Sequence, residues 1–135
     1  MKDSDIRGNE AIVEAIREHG VSKGIEHLKY VAIEIMKRMQ EGGTLYAASK
    51  EPKESEKERE LSFYFLPEIE ECWNLGYTSK EECDLDGCKD YMEISWTELF
   101  GKIIKDPMIT GLLLNPSGTR YPIHQNMMTD MLEQI

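Results

Sequence analysis

Five residues between Glu82 and Glu93 have the types and spacing of a calcium-binding loop. Glu82, Asp84, Asp86, Gly87 and Glu93 fall at positions 1, 3, 5, 6 and 12 of the EF-hand pattern, in which oxygen donors wrap a hard cation and the glycine makes a sharp turn. Their neighbours argue against coordination. The first ligand is a Glu where the shorter Asp is wanted, Lys89 stands where the pattern carries an apolar residue, and Tyr91-Met92-Glu93-Ile94 reads as a strand where the exit helix should begin. The segment is expected to be an acidic turn that binds no calcium.

Other chemistry-bearing types are scattered. Cys72, Cys83 and Cys88 do not have the spacing of a zinc knuckle, and in a reducing compartment they stay thiols that pack as small hydrophobes. His19 and His27 are eight apart and His124 stands alone, so no His-x3-His face forms and surface or capping roles are expected. Ser117 has no nucleophile elbow around it, Gly42-Gly43 and Gly118 are isolated turn signals instead of a phosphate loop, and Asn115-Pro116-Ser117 has proline where a glycosylation site forbids it. The expectation is therefore no catalytic residue, no cofactor and no metal.

Charge gives a more positive indication. The chain of 135 residues carries 26 acidic and 16 basic side chains, a net charge of −10, which repels nucleic acid and anionic lipid. Ten carboxylates lie between Glu68 and Glu98 against only Lys80 and Lys89, a local balance of −8. Such clustering suits either a solvated face that keeps the chain soluble or, as the sharper reading, a surface that attracts a basic protein. Within it Glu82, Asp84, Asp86 and Asp90 are the candidate contact acids, and Trp73, among Glu68, Glu70, Glu71 and Asn74, reads either as core or as a partly exposed anchor in an acidic rim. Trp96 reads as core.

The elements that must hold these residues follow from periodicity. Ile12, Val13 and Ile16 share a helical stripe behind an Asn9 cap, with Gly20 as a stop. From Ser22, Ile25, Leu28, Ala32, Ile35 and Met39 mark a longer helix that ends at Gly42-Gly43. Thr44 to Ala48 and Leu61 to Leu66 read as strands, joined by an exposed charged loop over residues 50–60 that holds too little apolar surface to offset its ordering entropy. A short helix starts at Thr78-Ser79 and stops at Asp86-Gly87. Tyr91 to Ile94 is a strand, Ser95 caps a helix through Ile104 in a capping box with Glu98, and Trp96, Leu99, Phe100 and Ile103 form its apolar face. Gly111 to Leu114 is a buried strand entering a turn at Asn115-Pro116-Ser117-Gly118, Tyr121 and Ile123 return as a short strand, and His124 to Ile135 is a final helix burying Met127, Met128, Met131 and Leu132. The order predicts one α+β domain over residues 1–135: N-terminal helices, a mixed or antiparallel sheet with interspersed helices, and a C-terminal helix. No apolar run approaches the roughly 20 residues of a membrane span, and the first residues lack a secretory pattern, so a cytoplasmic location is expected.

The strand Leu45-Tyr46-Ala47, the helix start Tyr77-Thr78-Ser79-Lys80-Glu81-Glu82 and the run Gly111-Leu112-Leu113-Leu114-Asn115-Pro116 together resemble the N-terminal domain of the SseB-like family, named after a bacterial protein linked to enhanced serine sensitivity. The resemblance covers roughly residues 25 to 133; the acidic stretch Cys83 to Asp90 is not part of the family signature. It implies a bacterial, intracellular protein with no catalytic residue to carry over. Two functions remain open at this point: a non-enzymatic interaction module that binds a basic protein, toxin neutralisation being one form of this, or a small ligand-binding domain or enzyme whose site is assembled from distant residues near Tyr77 and Asn115.

Overall fold

A computed structural model describes residues 8–19, 25–50 and 61–135, without the side chains of 19 and 25–28. The expected loop over 50–60 therefore lies almost wholly outside the described residues, as do Gly20, Ser22 and the side chains of His19, Ile25, His27 and Leu28. Within them the chain forms an α+β fold of five helices and a six-stranded mixed sheet, as the periodicity predicts.

Helix α1 (Glu10–His19) buries Ile12, Ala15 and Ile16, and α2 (Ile25–Gln40) buries Val31, Ile35 and Met39 on the matching three- and four-residue spacing. The end of α2 is set locally. Gly42 sits at φ 74°, its N–H bonds the Met39 carbonyl, and the Gly43 N–H reaches back to Arg38 at 2.8 Å, the paired bonds of a Schellman cap that a side chain at Gly42 would strain.

Strands β1 (Thr44–Ala48), β2 (Phe63–Leu66), β3 (Glu71–Tyr77), β4 (Tyr91–Ser95), β5 (Gly111–Leu114) and β6 (Tyr121–His124) form one sheet in the order β4-β1-β3-β5-β6, with β2 paired to β3. Only β3 and β5 run parallel; the other pairs are antiparallel. The strands β1 and β2 occupy the same side of β3 end to end, because Ala47 faces Gly76 and Phe63 faces Asn74. Just past the end of β1, Ser49 forms an antiparallel bridge with Leu61, which lies just before β2.

Helices α3 (Lys80–Leu85), α4 (Trp96–Ile104) and α5 (Gln125–Gln134) complete the fold. Ser79 and Ser95 cap α3 and α4, their hydroxyls accepting from the N–H groups of Glu82 and Glu98. The main core lies on one sheet face, where Leu45, Ala47, Ile94, Leu112, Leu114 and Ile123 meet apolar residues of α1, α2, α4 and α5. Trp96 is fully buried there, as expected. A smaller cluster on the opposite face joins Tyr77, Ala48 and Cys83 under α3.

The central strand β3 is the element the sequence pattern does not reveal. Glu71, Asn74 and Gly76 are types that strands disfavour, and they mask the alternation of a run that the sheet encloses on both sides. Gly76 has a packing reason: a methyl group there would press on the side chains of Leu112 and Leu45 from the two adjoining strands.

Candidate functional site

The acids from Glu68 to Asp90 do not form one surface. Glu68, Glu70 and Glu71 lie at the start of β3, while Glu81, Glu82, Asp84, Asp86 and Asp90 follow its end. At about 3.3 Å per residue, the seven-residue strand separates the two groups by roughly 20 Å.

At the far end, two of the four candidate contact acids are half-buried. Asp86 accepts from the Tyr77 hydroxyl at 2.6 Å with one carboxylate oxygen and from the Ser117 hydroxyl with the other. Glu82 is half-buried against the turn after β5: its Oε1 is shielded from solvent with no partner among the described residues, and it lies where a side chain at Gly118 would go. Burial raises its carboxyl above the usual range, with Arg17 opposing the shift and Glu81 adding to it. Asp84 and Asp90 are exposed and remain available as contacts. Of the four candidate contact acids, Asp84 and Asp90 are thus exposed, while Glu82 and Asp86 are half-buried and engaged within the chain. Glu93 accepts from the Thr44 hydroxyl at 2.8 Å across β1 and β4, so the strand carries the last position of the EF-hand pattern away from the turn.

Tyr77 and Asn115, distant in sequence, do come together. Asn115, at φ 48°, accepts from the Thr78 N–H at 3.0 Å and donates to the hydroxyls of Thr78 and Thr119. Burial, then the bonds to Asp86 and Cys88, push the Tyr77 hydroxyl far above its ordinary value, so it stays protonated. Cys83 is pushed up to about 12, chiefly by burial. These groups are bonded to one another or held protonated, and together they fix the β3–α3 corner. Among the described residues no three His, Cys, Asp or Glu side chains are grouped to hold a metal.

Trp73 is not the partly exposed anchor its acidic neighbours suggest. It is 6% exposed, its indole N–H donates to Glu71 at 3.0 Å, and its ring meets the edge of His124 at 5.1 Å between centroids. The register explains this. Trp73 lies opposite Gly111, which is itself opposite His124, so the indole and the imidazole meet across a position that carries no side chain.

Strand β2 carries exposed aromatics instead. Phe63, Tyr64 and Phe65 are 41%, 56% and 57% exposed, and Ile69 beyond the strand is 58% exposed. They belong to a stretch, residues 61–79, that contains three glutamates and no lysine or arginine. The strand was legible in its aromatic composition; its exposure was not, because alternating aromatic residues usually mark a buried face.

No protein-family model matches this chain, and neither does any curated protein or solved structure. Among the described residues no helix is long and apolar enough to cross a membrane.

Proposed function

We propose that this chain is a non-enzymatic interaction module of the SseB-like kind that binds a basic protein partner, with toxin neutralisation as one role of that type. The observation that carries the reading is the cluster of exposed Phe63, Tyr64, Phe65 and Ile69 beside Glu68, Glu70 and Glu71, with no cation in residues 61–79. Exposed aromatic side chains on both faces of one strand, Phe63 and Phe65 on one and Tyr64 on the other, followed by charges of one sign, are the composition of a recognition element, and the acids select a cationic partner and speed its encounter. Asp84 and Asp90, with Leu85 62% exposed between them in sequence, form a second acidic margin at the other end of β3.

Affinity capture with the full chain tests this reading. The double variant Glu68→Lys/Glu70→Lys should lose the basic proteins retained by the wild type, and the loss should be larger at low salt. Retention unchanged in that variant and in Asp84→Lys/Asp90→Lys would remove the acidic surface from the account.

A further inference from the structure

Among the described residues no strand lies on the outer side of β2, and the hydrogen bonds of β3 show which groups it presents there. On β3 the Cys72 carbonyl accepts from Thr110 N–H at 2.7 Å and the Gly76 carbonyl accepts from Asn115 N–H at 2.8 Å, so these residues direct their backbones toward β5. Strand residues alternate in this respect, which leaves Glu71 and Trp73 directed toward β2, where they face Leu66 and Tyr64. Tyr64 and Leu66 therefore bond β3. Phe63 and Phe65 turn their N–H and C=O groups the other way, and among the described residues no strand lies on that side. The neighbouring position is filled farther along: β4 flanks β1 there, and the Asp90 carbonyl just before it accepts from Ser49 N–H at 3.0 Å. An added strand beside β2 would lie in line with β4.

We infer that this edge receives an extended segment of a basic protein by strand addition, the Phe63 and Phe65 backbones bonding the segment while their rings and Tyr64 pack against its alternate side chains. The inference rests on the proposed binding of a basic partner and specifies its mode. Charge chooses the occupant. The edge leads directly into Pro67-Glu68-Ile69-Glu70-Glu71, whose acids have no cation among residues 61–79, so lysine or arginine on the incoming strand meets complementary charge. A second copy of this chain would bring the same glutamates and another net charge of −10. Natural edge strands are commonly protected by lysine, proline or a bulge, and Phe63-Tyr64-Phe65-Leu66 has none of the first two within it.

The probe is a short synthetic peptide alternating lysine and valine, titrated into the full chain while amide hydrogen exchange is followed residue by residue. At a peptide concentration ten times its Kd, the Phe63 and Phe65 amides should exchange about tenfold more slowly, because only about a tenth of the sites are free. The same peptide N-methylated along its central residues, which blocks both edges, should give no protection. Phe65→Pro removes one outward donor without touching a bond to β3 and should weaken binding, whereas Phe65→Val keeps the donor and should retain it. Binding with unchanged exchange at Phe63 and Phe65, or equal binding of the N-methylated peptide, would overturn strand addition while leaving the acidic-surface reading intact. Equal binding of a glutamate–valine peptide would overturn the basic occupant. A dimer in sedimentation of the protein alone, dissociated by Phe65→Pro, would assign the edge to a second copy and overturn the proposal.

Discussion

Replacing Asn9 with alanine separates two readings of that residue by their energies. As a helix cap, Asn9 would be worth about 1 kcal/mol. In the structure its carbonyl does accept the first bonds of α1, from Ile12 and Val13, but its side-chain amide serves elsewhere. Nδ2 donates to the carbonyls of Thr44 at 2.8 Å and Thr78 at 3.2 Å, while Oδ1 accepts from Arg38 Nε and Trp96 Nε1, both at 3.2 Å. One amide, 1% exposed, thus joins α1, α2, β1, α4 and the end of β3. Alanine would strand two buried donors and two carbonyls. The carbonyls lose least, so the cost is dominated by Arg38 Nε and Trp96 Nε1 at about 1 to 1.5 kcal/mol each, giving about 3 kcal/mol in total. With an unfolding entropy near 2.1 cal/mol/K per residue over 135 residues, that lowers the thermal midpoint by about 10 °C. Urea unfolding of Asn9→Ala, Trp96→Phe and the double variant measures it, with a coupling of about 1 kcal/mol expected between the two sites. A loss near 1 kcal/mol with additive single variants would show that Asn9 is only a cap and refute the network.

Three further outcomes are expected. Gly111→Ala should cost more than about 2 kcal/mol, because the new methyl would meet the Ile123 backbone carbonyl, whereas Gly118→Ala should cost little because it meets only the movable Glu82 carboxylate; thermal melts compare the two. Glu82→Gln should raise the melting temperature near neutral pH. The folded carboxyl holds its proton to higher pH than the unfolded one, so its ionisation destabilises the fold as pH rises through that raised value, and the gain from Gln should vanish below the ordinary carboxylate range; paired melts at pH 4 and pH 8 check the sign. Cys83, fully buried and pushed up to about 12, should resist a thiol reagent at pH 8 until denaturant is added, while half-exposed Cys88 reacts first; mass mapping of the labelled sites reads the order.

What could be read without the structure was local. Ser79, Ser95 and Gly42 set helix ends through bonds that close within five residues, and the apolar spacing of α2, α4 and α5 marks one buried face without reference to any partner. The α+β class followed from the order of those elements. The masked middle of the sheet did not: β3 is a strand because β1, β2 and β5 pair with it, and those pairings outweigh the poor strand propensity of Glu71, Asn74 and Gly76.

The site shows the same division. Clustering of acids was visible along the chain, but a run that is continuous in sequence is divided by a strand in space, and Tyr77 and Ser117 draw Asp86 inward from positions 9 and 31 residues away. Trp73 is covered because Gly111 and His124 lie across the sheet, and the outward backbone groups of Phe63 and Phe65 have no strand beside them among the described residues because β4 flanks β1 and not β2. Composition determined the charge, the helices and their caps, since these depend on neighbours a few residues apart. Which acids face solvent, which aromatics are buried and which strands pair depended on contacts between distant segments, which only tertiary packing brings together.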